Sequence, residues 1–135
     1  FSPNGSLLVS FASESVPNGF ERIDIQKFNT ENAKLSQNVQ LKLDVPFSAS
    51  FSPNSKVLYV SNNRLFQYNL INYSKTAIEA SRRQITPDWN NSLGSIHLTP
   101  NNEIYLAYLD SSHLGLVANP NDTGIKCNFS ELGVE

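Results

Sequence analysis

Short apolar runs separated by turns are the most regular feature of the chain. Residues 65–70 alternate apolar with polar side chains, and residues 57–60 and 104–109 are continuous apolar runs of strand length. A period of two indicates half-buried β-strands, whereas a helix would space its apolar residues by three and four. The pattern therefore predicts an all-β fold.

The strands recur in a repeat that contains a proline turn. Three segments align, FSPNGSLLVS, FSPNSKVLYVS and LTPNNEIYLA, and their prolines, Pro3, Pro53 and Pro100, lie 50 and 47 residues apart. A period of this length in strand-like sequence is typical of a β-propeller blade. The repeat predicts blades of four antiparallel strands.

Each repeat is expected to enter its second strand through the same tight turn. A Ser-Pro or Thr-Pro pair presets the first turn residue, and the following asparagine tolerates the left-handed conformation. Gly5, Ser55 or Asn102 then completes the turn. The residues predicted to have this structural role are Pro3, Asn4, Pro53, Asn54, Pro100 and Asn101.

The repeat divides a single predicted domain into three blades, around residues 1–47, 48–94 and 95–135. In the second blade the predicted strands are residues 48–51, 56–61, 64–70 and 76–85, the last being a polar outer strand. The first blade has predicted strands at residues 7–12, 20–28 and 37–43. The third has them at residues 95–98, 103–109 and 113–118, and residues 119–127 depart from the pattern.

The length of the chain is too short for a closed ring of such blades. A propeller typically has four to eight blades, and 135 residues hold about two and a half to three. We expect a partial propeller with unpaired inner strands at Phe1 and after Phe129, unstable alone because such edges aggregate. The first residues lack the basic and apolar regions of a signal peptide and look like the middle of a repeat, so the true N-terminus is expected upstream. The remaining blades would come from the same polypeptide or from another copy.

The segment FSPNSKVLYVSNNRLFQYNL resembles the WD-repeat and YVTN-type propeller blade. The last third of the chain is similar to the closing blades of propellers in large secreted Bacteroidetes proteins, of the kind associated with gliding motility and type IX secretion. The matching positions are residues 94–98, 100–107, 114–117, 119–121, 124 and 127–129. The chain departs from that family in having Asn at the turn Asp positions and in having Lys126. The resemblance implies an extracellular or cell-surface protein without enzymatic activity, and it supplies no catalytic residues.

Composition and charge exclude several classes of protein. The chain is 39% hydrophobic and 16% charged with a net charge of −2, which argues against disorder, a coiled coil and nucleic-acid binding. Cys127 is the single cysteine, and His97 and His113 are the two histidines, so neither a disulfide framework nor a zinc site is expected. No apolar run reaches membrane-spanning length. We therefore expect no cofactor and no membrane insertion.

Candidate catalytic groups are sparse. The acidic residues are scattered over predicted turns and strand edges, which favours a solvated surface over a catalytic carboxylate pair. Ser111, Ser112 and His113 are adjacent, but a turn explains them and no nucleophile elbow is present. The Arg82-Arg83 doublet is interpreted as charge that guards an exposed strand edge. An enzyme of the lactonase or streptogramin-lyase propeller type remains the alternative.

The predicted topology places the longer loops at one end of the blades, opposite the proline turns. Loops carry function more often than strands do, so a partner is expected at that end. Trp89 is a candidate contact for a sugar or a protein, although it could instead pack against a neighbouring blade. The candidate partner residues are Asn62, Asn63, Asp88, Trp89, Asn90, Asp110 and His113. The functional hypothesis is a scaffold or a protein- or glycan-binding module.

Overall fold

The computed structural model describes residues 1–13, 21–87, 93–109 and 111–134, and within these ranges the fold is all-β. The first sheet contains β1 (Leu7–Ser13), β2 (Glu21–Asn29) and β3 (Lys34–Lys42). The middle sheet contains β4 (Ser48–Phe51), β5 (Val57–Ser61), β6 (Leu65–Asn69) and β7 (Arg83–Gln84). The third sheet contains β8 (Leu93–Leu98), β9 (Ile104–Tyr108), β10 (Leu114–Val117) and β11 (Phe129–Val134). Sequential strands pair antiparallel in each sheet, as the repeat predicts.

The middle sheet is buried on both faces. All five residues of β5 are buried, and alternation sends Leu58 and Val60 to one face and Val57 and Tyr59 to the other. The first pair packs in a core with the first sheet, and the second pair packs in a core with the third sheet. The three sheets therefore stack face to face, which explains why β5 is a continuous apolar run.

The proline turns are similar to one another. The left-handed residues are Gly5, Ser55 and Asn102, with φ of 72°, 61° and 65°, and not the asparagine that directly follows each proline. That asparagine acts through its side chain. Asn54 Oδ1 accepts hydrogen bonds from the Lys56 N–H and from the Ser52 hydroxyl. The left-handed conformation that asparagine tolerates is therefore not used at Asn4, Asn54 and Asn101.

The outer strand predicted at residues 76–85 is also wrong over most of its length. Helix α1 (Lys75–Ala80) occupies that segment, and only the two residues of β7 pair with β6. Ser74 caps the helix, because its side chain accepts the Ala77 N–H, and Ala and Glu favour the helical state. Ile78 anchors α1 in the core shared with the first sheet. No helix in the described ranges is both long and apolar enough to cross a membrane.

The third sheet corrects a further expectation. The segment after Phe129 is not an unpaired inner strand, because β11 pairs with the outer side of β10. Residues 119–127, which depart from the repeat, contain a short 3-10 helix over Gly124–Cys127. The first sheet differs from the other two, since β1 has no strand on its inner side within the part of the chain that the structure describes.

Candidate functional site

A groove opens where two loops from different sheets meet. Residues 43–47 join the first sheet to the middle sheet, and residues 62–64 join β5 to β6 at the same end of the stack. The groove has a volume of about 370 Å³. We call it the arginine groove, and its lining residues are Leu43, Asp44, Val45, Asn62, Asn63, Arg64, Phe66 and Arg82.

Asn62 ties the two loops together. Its Nδ2 donates to the Asp44 carbonyl oxygen at 3.0 Å, and its Oδ1 accepts the Arg64 N–H at 2.8 Å. Both ends of this amide are therefore engaged in holding the groove. Asn63 is exposed at the tip of the same turn. The structure thus brings two of the predicted partner residues, Asn62 and Asn63, into the groove, with Asn62 in a positioning role.

Arg82 provides the best-oriented charge of the groove. Its guanidinium lies over the buried Phe66 ring, with 4.2 Å between Cζ and the ring centroid. A stacked guanidinium keeps its N–H groups directed outward from its edge, where they match the two oxygens of a carboxylate. Arg82 follows α1, and Ser81 anchors that junction through its hydroxyl hydrogen bond to the Ile78 carbonyl oxygen.

The arginine doublet divides between two surfaces. Arg82 lines the arginine groove, whereas Arg83 lines a separate groove between β7 and the segment of residues 124–129. The sequence predicts that the doublet places charge on an exposed strand edge. Arg83 fits this prediction, because it lies on β7. The sequence does not predict the role of Arg82, because the stacking on Phe66 joins residues that are far apart in the chain.

Among the described residues that line the arginine groove, the other charged ones are Arg64 and Asp44, and both are exposed. The described lining therefore holds two guanidinium groups and one carboxylate, although the whole chain carries a net charge of −2. Guanidinium groups gathered in one groove favour the binding of an anionic group.

Val45 shows that the groove loop is strained. It has φ of 46° and is 66% exposed, so a β-branched side chain occupies the left-handed region without the compensation of burial. Such a conformation costs about 1–3 kcal/mol and tends to occur at functional sites. The backbone strain therefore indicates a functional role for this loop, independently of its charged residues.

The structure does not place the other predicted partner residues in the groove. Four of them lie outside the described residues, namely Asp88, Trp89, Asn90 and Asp110. His113 lies in the β9–β10 turn of the third sheet, where its N–H donates to the Ser111 hydroxyl and its Nδ1 is 3.1 Å from the Ser112 hydroxyl oxygen. Ser112 and His113 therefore lie in a local turn, as the sequence predicts.

A buried polar network between the middle sheet and residues 119–127 was not predicted from the sequence. Gln67 Nε2 donates to the Tyr59 hydroxyl at 2.7 Å and to the Asp122 carbonyl oxygen at 2.8 Å, and its Oε1 accepts the Gly124 N–H at 2.9 Å. Tyr59 donates to the Pro120 carbonyl oxygen. The network fastens residues 119–127 to the middle sheet. Burial raises the pKa of the Tyr59 hydroxyl, so it remains protonated.

Cys127 lies beside this network and is buried. Burial is the main cause that raises the pKa of its thiol. A thiol in that state is a poor nucleophile, since the thiolate is the reactive form.

The proline turns connect neighbouring sheets. The Asn4 N–H donates to the Ser55 hydroxyl at 3.2 Å, and the Asn54 N–H donates to Asn121 Oδ1 at 3.0 Å. The first and second turns therefore contact the next unit through the asparagine backbone, while the side chains of Asn4 and Asn54 hold their own turns. These contacts give the turns a structural role.

The described residues bring together no group of three or more His, Cys, Asp or Glu side chains that could hold a metal ion. His97 lies exposed on β8, where it lines a cleft of about 260 Å³ that also contains Val9 of β1 and Ser50 of β4. In comparisons with known proteins, neither a family model nor a curated protein matched this chain.

Proposed function

We propose that the chain is a segment of an extracellular or cell-surface β-propeller that acts as a non-enzymatic interaction module, with the arginine groove as its partner surface. The single observation that carries the proposal is the juxtaposition of Arg82, Arg64 and the strained Val45 in one open groove. Exposed arginine that is held in place by stacking is typical of binding surfaces.

The propeller assignment rests on the repeat and on the stacked antiparallel sheets. The inner strands β4 and β8 adjoin, since the Ile96 N–H donates to the Ser48 hydroxyl. Extension of this stacking through further blades of the same polypeptide, or through another copy, would close a ring. The extracellular location rests on the sequence resemblance alone.

Binding arrays test this function. We expect the full chain to bind members of a peptide or oligosaccharide array, and we expect Arg64→Ala together with Arg82→Ala to abolish that binding while Arg83→Ala, in a different groove, leaves it unchanged. Binding that survives the double substitution would show that the partner surface lies elsewhere.

Lactone hydrolysis by the full-length protein would support the alternative, a propeller enzyme of the lactonase or streptogramin-lyase type that uses inner-strand residues such as His97.

A further inference from the structure

The arginine groove combines three features that together specify a ligand. Arg82 offers an exposed guanidinium that lies over the Phe66 ring, Arg64 adds a second positive charge, and Val45 exposes an aliphatic side chain in the same groove. The structure gives Arg82 a ring contact, and no carboxylate partner of Arg82 occurs among the described residues. Its hydrogen-bond donors are therefore open to a ligand.

We propose that the arginine groove binds an acidic peptide segment in which an Asp or Glu residue is followed by an aliphatic residue. This inference rests on the proposed function and names its ligand class. The carboxylate accepts two hydrogen bonds from the edge of Arg82, a geometry that a planar guanidinium fork matches. The aliphatic neighbour packs against Val45.

The lining favours a peptide over a uronate-containing glycan. Sugar rings bind well where an aromatic face is open, but Phe66 is buried and Arg82 already covers its ring. Among the described residues that line the groove, Phe66 is the only aromatic one. Phe47, which is exposed close to the groove, does not line it. The aliphatic Leu43 and Val45 instead provide a surface for a peptide side chain.

Asp44 limits the affinity of the groove for acidic ligands. Its exposed carboxylate lines the same groove as the two arginines, so it repels a bound carboxylate and competes for the same donors. Removal of this charge should strengthen binding without any change to Arg82. The sign of that effect distinguishes an acidic ligand from a neutral one.

Fluorescence anisotropy on the full chain tests the proposal with a short labelled peptide that contains Glu-Leu-Glu-Glu. The matched probe replaces each Glu by Gln, and an oligogalacturonate is the glycan probe. We expect Arg82→Ala to weaken binding of the Glu peptide about tenfold or more, as for loss of a charge-assisted pair. Arg83→Ala is the matched control, because the adjacent arginine lines a different groove, and it should change the affinity less than twofold.

Arg82 also covers Phe66, so its removal could unfold the chain. Asp44→Asn avoids that difficulty and should tighten binding of the Glu peptide about two- to fivefold at low salt. Equal affinity for the Glu and Gln peptides, or equal losses in Arg82→Ala and Arg83→Ala, would overturn the proposal. Binding of oligogalacturonate in place of the peptide, sensitive to Phe47→Ala, would also overturn it while leaving the proposed interaction function intact.

Discussion

The two ends of the stacked sheets differ in how their polar groups are used. At the proline-turn end, the side chains of Asn4 and Asn54 hold their own turns, and Gln67 of β6 fastens residues 119–127 to the middle sheet. At the groove end, the exposed Arg82 guanidinium lies over the Phe66 ring, and Val45 is strained and exposed. The first end is repeated and internally satisfied, whereas the second is irregular and open. The contrast indicates that the repeat maintains the stack and that the departures from it form the proposed binding surface.

The largest expected effect on stability comes from a substitution in the buried network of Gln67. Gln67→Leu should lower the free energy of unfolding by about 3 kcal/mol, because the Gly124 N–H and the Asp122 carbonyl lose a buried partner. The matched change at the open end, Asn62→Leu, should cost about 1 kcal/mol, since water can replace its hydrogen bonds. Urea denaturation of both variants measures the difference. Equal losses of stability in the two variants would show that water reaches the two sites equally.

An effect of opposite sign is expected from relief of backbone strain. Val45→Gly should raise the free energy of unfolding by about 1 kcal/mol, because glycine adopts φ of 46° without a Cβ clash. The same substitution should weaken binding of the Glu-Leu peptide, since it removes the aliphatic contact. Gly5→Ala, at φ of 72° in a proline turn, should instead destabilise the chain by about 1 kcal/mol. Thermal unfolding of the Val45→Gly and Gly5→Ala variants measures both changes. If both substitutions stabilised the chain, a side chain at positive φ would not be the source of the strain.

The smallest effect concerns Asp24, in the first sheet between the two ends. Burial acts to raise the pKa of this carboxyl, but hydrogen bonds from Asn38 and Arg22 and the charge of Arg22 outweigh it and hold the pKa below its usual value. The resulting stabilisation is fully present above about pH 4, the ordinary range of an aspartate, and is lost as the pH falls through the lower folded-state pKa.

Denaturation of the native chain and of Asp24→Asn at a series of pH values measures this contribution. The difference in stability between the two should shrink as the pH is lowered from 6 toward 2. A difference that stays constant over this range would show that the Asp24 pKa is the same in the folded and unfolded chain.

Much of the fold could be predicted because its determinants are local. The strands follow from alternation within about six residues, and each proline turn is held by hydrogen bonds such as Asn54 to Lys56. The helix at Lys75–Ala80 was missed although its signals are also local, namely the Ser74 cap and the helix-favouring Ala77 and Glu79. There the expectation of a four-stranded repeat overrode the local propensity.

The groove could be predicted only in part. Asn62 and Asn63 follow from the rule that turns at one end of a sheet collect together. Arg82 and Asp44 could not be placed, because the first depends on stacking against Phe66 and the second on the packing of two sheets. Neither contact leaves a periodic signal in the sequence.

The sequence by itself determined that this protein is built from repeated antiparallel strands joined by proline turns, because alternation and turn propensity act over a few residues. The tertiary structure decided which polar residues are engaged and which face solvent. Only the stacking of the sheets buries Gln67 in a closed network and leaves Arg82 open above Phe66. Burial and charge pairing depend on residues that are distant in the chain, so they become defined only when the sheets pack.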